Sequence, residues 1–352
     1  MILFELYTSG TLRLQNRIVM APMTRSRAIG NVPNDLMAEY YRQRSSAGLI
    51  VTEGTAPSPN GLGYARIPGL FSAAQVEGWR KVTAAVHGGG AKIFAQLMHT
   101  GRITHPLNLP KGAEVVAPSA VRAAGQMWTD QAGMQDLPTP RAFETREVPE
   151  VVAEYVAASR NAIEAGFDGI ELHGANGYLI EQFLNPRTNE RNDAYGGSIE
   201  KRNRFAVEVS GAIAKAIGAG RTAIRLSPFN TFNDMDGSYP EIARQYQALA
   251  KDLGVLGLAY IHVVAYAKVG EPLLRAIKKA FGGTIIINGG LDRQKAEAAL
   301  EAGLGDLAAF ATGFLSNPDL PHRLRNGLAL NPLDQSTFYS ADAKGYTDYP
   351  RA

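Results

Sequence analysis

The hexapeptide His173-Gly174-Ala175-Asn176-Gly177-Tyr178 puts an imidazole, a carboxamide and a phenol into one short turn. It follows the apolar run Gly169-Ile170-Glu171-Leu172, which reads as a buried strand. His and Asn can both donate hydrogen bonds to one substrate oxygen, and a tyrosine can deliver a proton. Such a trio suits a carbonyl, a nitro group or another electron-poor acceptor. One histidine near a strand end usually packs or caps; three polar groups clustered there point toward function.

Other polar residues occupy comparable places. Thr24 follows the apolar run Arg17–Ala21, Gln96 lies near the end of Lys92–Leu97, and Arg225 sits inside Thr222–Leu226. An arginine within an apolar strand is costly to bury without a partner. Two readings stand: an internal ion pair with Glu171 or another carboxylate, or a cation facing a bound group that becomes negative during reaction.

The elements that must hold these residues alternate. Candidate strands are Arg17–Ala21, Leu49–Gly54, Lys92–Leu97, Gly169–Leu172, Thr222–Leu226, Tyr260–Val264, Thr284–Asn288 and Leu307–Phe310. Several are continuous apolar runs, as expected when both faces are buried. Helical spacing fills 34–47, 74–87, 149–165, 198–217, 239–253, 271–281, 293–302 and 318–326. Eight strands, each followed by a helix, predict a (β/α)₈ barrel over residues 1–352 as a single domain. Active sites of that fold lie at the C-terminal ends of the strands, where the polar residues above fall. A doubly wound sheet is the rival; it wants a glycine-rich loop after the first strand, whereas Ala21-Pro22-Met23-Thr24-Arg25 follows here. The Pro-, Gly- and Ala-rich stretch 99–147 is expected to form a lid or hairpin over the mouth. The tail 331–352, with Phe338, Tyr339, Tyr346 and Tyr349, is expected to lie across the surface and reach the mouth.

The last two strands end in Asn288-Gly289-Gly290 and Ala311-Thr312-Gly313. Glycines there suit the phosphate site of a barrel, where backbone N–H groups face an anion. A phosphate site, an arginine and an amide together suggest flavin mononucleotide (FMN).

At this point the residues resemble the Old Yellow Enzyme family, flavin-dependent ene-reductases of the N-ethylmaleimide reductase and xenobiotic reductase type. The resemblance runs through nearly the whole chain. It rests on Ala21-Pro22-Met23-Thr24-Arg25, on the 173–178 turn, and on Phe183-Leu184-Asn185-Pro186 through Asp193-Ala194-Tyr195-Gly196-Gly197-Ser198 to Asn203-Arg204-Phe205. It implies that His173 and Asn176 bind the activating oxygen and that Tyr178 is the proton donor. Thr24 would bond the flavin C4 carbonyl, Gln96 the pyrimidine edge and Arg225 the N1–C2 carbonyl side, with Pro22, Met23 and Ala56 against the ring. Asn288, Gly289, Gly290, Ala311 and Thr312 would hold the phosphate. Tyr64, Tyr266 and Tyr346 would wall the substrate pocket. The implied reaction is ping-pong: NAD(P)H reduces FMN, which then reduces an α,β-unsaturated carbonyl or nitroalkene. The family usually carries Gly-Arg after the eighth strand's Phe; here Ala311-Thr312 follows Phe310, so the phosphate-binding charge is missing. Arg293 is a candidate substitute.

Composition narrows the alternatives. There is no cysteine, which removes disulfides, thiolate zinc sites and Cys-ligated iron–sulfur clusters. A net charge of +3 without a basic stripe gives no case for nucleic acid. No apolar run reaches membrane-spanning length, and Met1–Leu6 lacks a signal-peptide pattern, so a cytoplasmic protein, monomer or homodimer, is expected. The rivals in function are a non-catalytic or weakly flavin-loaded ligand-binding barrel, and a metal-dependent barrel enzyme, for which the six histidines are scattered.

Overall fold

In a computed structural model, which describes residues 1–265 and 269–352, eight parallel strands close into a barrel. They are β1 (Ile18–Met20), β2 (Leu49–Val51), β3 (Lys92–Leu97), β4 (Gly169–Gly174), β5 (Thr222–Leu226), β6 (Tyr260–Val264), β7 (Thr284–Asn288) and β8 (Leu307–Phe310). Each pairs with its neighbour in sequence, and β8 closes onto β1. The helices between them are α1 (Asp35–Gln43), α2 (Ala73–His87), α3 (Val148–Glu164), α4 (Ile199–Ile217), α5 (Ile242–Val255), α6 (Glu271–Phe281), α7 (Arg293–Glu301) and α8 (Leu320–Asn326). Their starts follow capping chemistry: the Asn34 side chain accepts from Met37 N–H, and Ser72 and Gln75 form a reciprocal capping box on α2.

Alternation along the strands divides the interior. Ile170, Leu172, Ile224 and Ile261 point outward into the core beneath the helices. Phe94, Ala223, Tyr260, Ile286 and Leu307 point into the lumen, which Leu12 and Leu14 of an N-terminal hairpin (Tyr7–Ser9 with Leu12–Leu14) plug at the bottom. Two residues further along the same inward rows come Gln96, Arg225, His262 and Asn288. The lumen therefore turns from apolar to polar toward the strands' C-terminal ends.

Two differences from the sequence expectation, and one expected feature, matter for the site. β4 continues through His173 and Gly174, so the His173 side chain projects from the strand itself. Short helices at Leu179–Leu184 and Thr312–Ser316 follow β4 and β8; each is too brief to show a period. The stretch 99–147 contains an antiparallel hairpin, Gln126–Thr129 with Gly133–Asp136. The tail is clamped by three buried arginines. Arg25 Nη2 donates to Gly345 O at 2.7 Å, Arg27 Nη2 to Thr337 O at 2.8 Å, and Arg44 Nη2 to Leu315 O at 2.9 Å and Tyr346 O at 3.4 Å. Among the described residues, no helix is long and apolar enough to cross a membrane.

Candidate functional site

A cavity of about 680 Å³ opens over the C-terminal end of the barrel. Thr24, Tyr64 and Tyr178 line its floor, Met127, Trp128 and Met134 come from the hairpin, Phe232 from the loop after β5, and Tyr339 from the tail. The tail thus reaches the mouth, by way of Tyr339.

His173 and Tyr178 meet here edge to face, with ring centroids 4.7 Å apart. His173 Nδ1 is buried and has no hydrogen-bond partner among the described residues. Burial, with Arg225 and His262 nearby, holds the His173 pKa well below the usual imidazole value. The ring is therefore neutral, with one N–H to donate. Tyr178 donates to Tyr64 Oη at 3.0 Å, and burial raises its pKa well above the phenol value, so it keeps its proton. Asn176 adopts φ 57° and Gly177 φ 81°, two successive left-handed residues that turn the chain sharply out of the strand. Asn233 Nδ2 donates to Asn176 O at 2.8 Å and fixes that turn from the β5 side.

Below these groups lies a polar layer. Gln96 Nε2 donates to Glu171 Oε1 at 2.8 Å, and His262 Nδ1 lies 2.9 Å from Glu171 Oε2. Glu171 is held below the usual carboxylate range against its burial, by His262, Arg225 and the Gln96 amide, while burial lowers the His262 pKa against the pull of Glu171. His262 is thus the donor to an ionised Glu171. Arg225 Nη2 donates to Asn288 Oδ1 at 2.9 Å, and Asn288 Nδ2 to Ala309 O at 2.9 Å. Of the two readings of Arg225, the ion pair with Glu171 does not occur among the described residues, where Arg225 bonds Asn288 and Glu171 bonds His262. His262 escaped the sequence reading, although its alternation with the inward Tyr260 was a usable signal.

Pro22, Met23 and Thr24 are half-buried after β1, and Ala56 is buried after β2. Gly289 (φ 138°) and Gly290 (φ 60°) follow β7; a Cβ at Gly289 would lie 2.3 Å from Ala265 O, whereas Gly290 faces open space. Ala311 precedes the short helix, and Thr312 is exposed in its first turn. Arg293 donates to Leu324 O at 3.0 Å, so its guanidinium is engaged with α8.

Tyr346 does not wall the cavity. It is 0% exposed, stacked on Tyr40 at 4.0 Å with 6° between the rings, and the Arg27 guanidinium lies 4.7 Å from its centroid. Cation–π and stacking contacts make it the anchor of the tail. The pocket aromatic of the tail is Tyr339. Tyr266 falls outside the described residues.

His99, just past β3, is a structural histidine. Its Nδ1 accepts from Gly101 N–H at 3.1 Å, and burial lowers its pKa to about 3. A buried neutral histidine favours the fold above pH 6.5, its unfolded value, and loses that contribution as pH falls toward 3. By pH 4.5 this group should cost about 2–3 kcal/mol of stability. His99→Asn, which keeps an acceptor for Gly101 N–H, should give a shallower fall of Tm between pH 6.5 and 4.5; parallel curves would show that His99 does not carry this dependence.

Comparison with known proteins gives one answer. The family model described as "NADH:flavin oxidoreductase / NADH oxidase family" matches residues 2–331. A 12-oxophytodienoate reductase of Oryza sativa subsp. japonica is 42% identical, over 98% of this chain and 91% of its own. A chanoclavine-I aldehyde reductase of Penicillium roqueforti is 43% identical, over 97% of this chain and 94% of its own. The structure of morphinone reductase with tetrahydroNAD superposes with a TM-score of 0.96 at 43% identity, covering 99% and 97% of the two chains. The old yellow enzyme homologue of Zymomonas mobilis gives 0.94 at 40% identity, covering 99% of each chain.

Proposed function

Because the chain belongs to the NADH:flavin oxidoreductase / NADH oxidase family, an enzyme family that couples a nicotinamide reductant to ene reduction on FMN, we propose how its own residues divide that work. The observation that carries the proposal is the buried His173 Nδ1, without a partner among the described residues, beside the protonated Tyr178 at the C-terminal end of the barrel, where the lumen turns polar.

The residues present fit FMN. Pro22, Met23 and Ala56 offer an apolar surface for its ring, Thr24 a hydroxyl, Gln96 an amide, and Arg225 a cation beside Asn288. Gly289, Gly290, Ala311 and Thr312 would face the phosphate. When bound, FMN accepts hydride from the nicotinamide and supplies it to the alkene.

His173 and Asn176 bind the oxygen of an α,β-unsaturated carbonyl or nitroalkene. Their N–H groups gain most when that oxygen carries enolate or nitronate charge, so they lower the barrier to hydride arrival at Cβ. A neutral His173 suits this: it donates without surrendering a proton. Tyr178 delivers its proton to Cα, and the raised pKa keeps the phenol charged with that proton until carbanion character develops. Electron-poor alkenes as substrates, a cytoplasmic location and a monomeric or homodimeric state belong to the same reading.

Anaerobic incubation with NADH or NADPH and a panel of enones and nitroalkenes tests it. Saturated carbonyl or nitroalkane products are expected; products unchanged at the double bond across the panel would contradict it.

Thr312 bears on cofactor affinity. It offers a hydroxyl and an N–H but no charge, while Arg293 donates one N–H to Leu324 O. Thr312→Arg should tighten FMN by about ten- to a hundredfold, the worth of one or two charge-assisted hydrogen bonds. It should also raise Tm at fixed FMN, because a ligand of the folded state stabilises it. Dissociation constants from flavin fluorescence quenching decide; equal constants would show that the glycine turns alone hold the phosphate.

A further inference from the structure

Beneath the 173–178 turn lies a carboxylate that the mechanism above does not use. Glu181, 2% exposed in the Leu179–Leu184 helix, accepts four hydrogen bonds. Oε2 takes Gly177 N–H at 2.6 Å and Asn230 Nδ2 at 3.0 Å; Oε1 takes Ser227 Oγ at 2.9 Å and Tyr246 Oη at 3.1 Å. Ser227 Oγ in turn accepts Asn176 N–H at 2.8 Å. The carboxylate therefore reaches the backbone of both left-handed residues, one directly and one through a hydroxyl.

That arrangement is expensive. Among the described residues, no arginine or lysine bonds to Glu181. Its charged or titratable neighbours are Tyr246 and, from the loop before α5, Tyr239. Burial pushes its pKa up to about 7. A buried carboxylate with neutral donors alone opposes folding relative to a neutral isostere. Its raised pKa means that this opposition is absent below the unfolded carboxyl value and complete above about 7. A group that costs stability while ordering two left-handed residues beside the reacting atoms is better explained by positioning than by folding.

We infer that Glu181 is a positioning residue for ene reduction: through Gly177 N–H and, by way of Ser227, Asn176 N–H, it holds the left-handed turn that aims Asn176 and Tyr178 at the substrate. The inference rests on the roles proposed above for His173, Asn176 and Tyr178.

The test uses the FMN-loaded enzyme and Glu181→Gln, which keeps the shape and removes the charge. Three quantities are read: the dissociation constant of 4-hydroxybenzaldehyde from its long-wavelength charge-transfer band, the rate of 2-cyclohexenone reduction, and Tm at pH 8. Phenol affinity should fall about five- to tenfold and enone reduction at least as much, while Tm stays level or rises. Ser227→Ala, which removes the link to Asn176 N–H and one donor to Glu181 while leaving the Gly177 N–H bond in place, should weaken phenol binding in the same direction and carries the test if Glu181→Gln fails to fold. A drop in Tm that accompanies the functional loss in Glu181→Gln, or unchanged phenol binding in both variants, overturns the inference. His173→Ala separates the two levels: if it too leaves phenol binding unchanged, the oxygen-site reading fails; if it abolishes binding while the Glu181 and Ser227 variants retain it, the positioning role alone fails.

Discussion

Tyr178→Phe is expected to slow enone reduction by about 10²–10⁴-fold while leaving the bleaching of flavin absorbance by NADH nearly unchanged, the range that a positioned general acid contributes. The phenol is buried, its pKa lies well above the ordinary value, and its ring packs against His173. Phe preserves that packing and removes the proton alone. Its lost bond to Tyr64, at 3.0 Å, leaves a second phenol that is less well placed, so Tyr64→Phe should have a much smaller effect. Nitroalkenes should suffer less than enones, because a nitronate can leave and be protonated by water. Equal losses in both half-reactions of Tyr178→Phe would make the residue structural.

His173→Ala and Asn176→Ala should each cost about 10²–10³-fold in enone reduction, as removal of one preorganised donor to a developing oxyanion does. The double variant should lose less than the product of the two, since both act on one oxygen. Phenol binding gives an independent measure. A phenolate held by these donors over the flavin should show a long-wavelength charge-transfer band, and either variant should remove most of it. His173→Ala leaves the turn of residues 176–177 to Ser227, Asn233 and Glu181, so its stability should change little. Unchanged phenol titrations in both variants would sink the oxyanion-site assignment.

Much of the barrel was legible because its signals are local. β3, β5, β6, β7 and β8 begin and end where their apolar runs do. β1 and β2 are shorter than their runs, because pairing stops at Met20 and Val51 while the chain stays buried to Ala21 and Gly54. The site residues Thr24, Tyr64, His173 and Tyr178 could be picked out by type and position, and the structure gathers them at the mouth. What escaped depends on contacts distant in sequence. Tyr346 reads like any aromatic of the tail; its burial follows from Arg25, Arg27 and Tyr40, some 300 residues earlier. Glu181 lies in an apolar stretch, Leu179-Ile180-Glu181-Gln182-Phe183, where nothing nearby announces its partners Ser227, Asn230 and Tyr246. Glu171 was legible as a buried carboxylate, but its choice of His262 over Arg225 is set by barrel register, which places His262 opposite Arg225 and Arg225 opposite His173.

The central claim is that one site takes hydride from a nicotinamide and passes it to an electron-poor alkene. Anaerobic double-mixing stopped flow measures this directly. The FMN-loaded protein is first mixed with one equivalent of NADH and its flavin absorbance followed, then mixed with excess 2-cyclohexenone. The account predicts bleaching in the first phase and recovery in the second, with cyclohexanone formed in proportion to flavin and recovery slowed in Tyr178→Phe. Bleaching followed by no recovery until oxygen is admitted would contradict it.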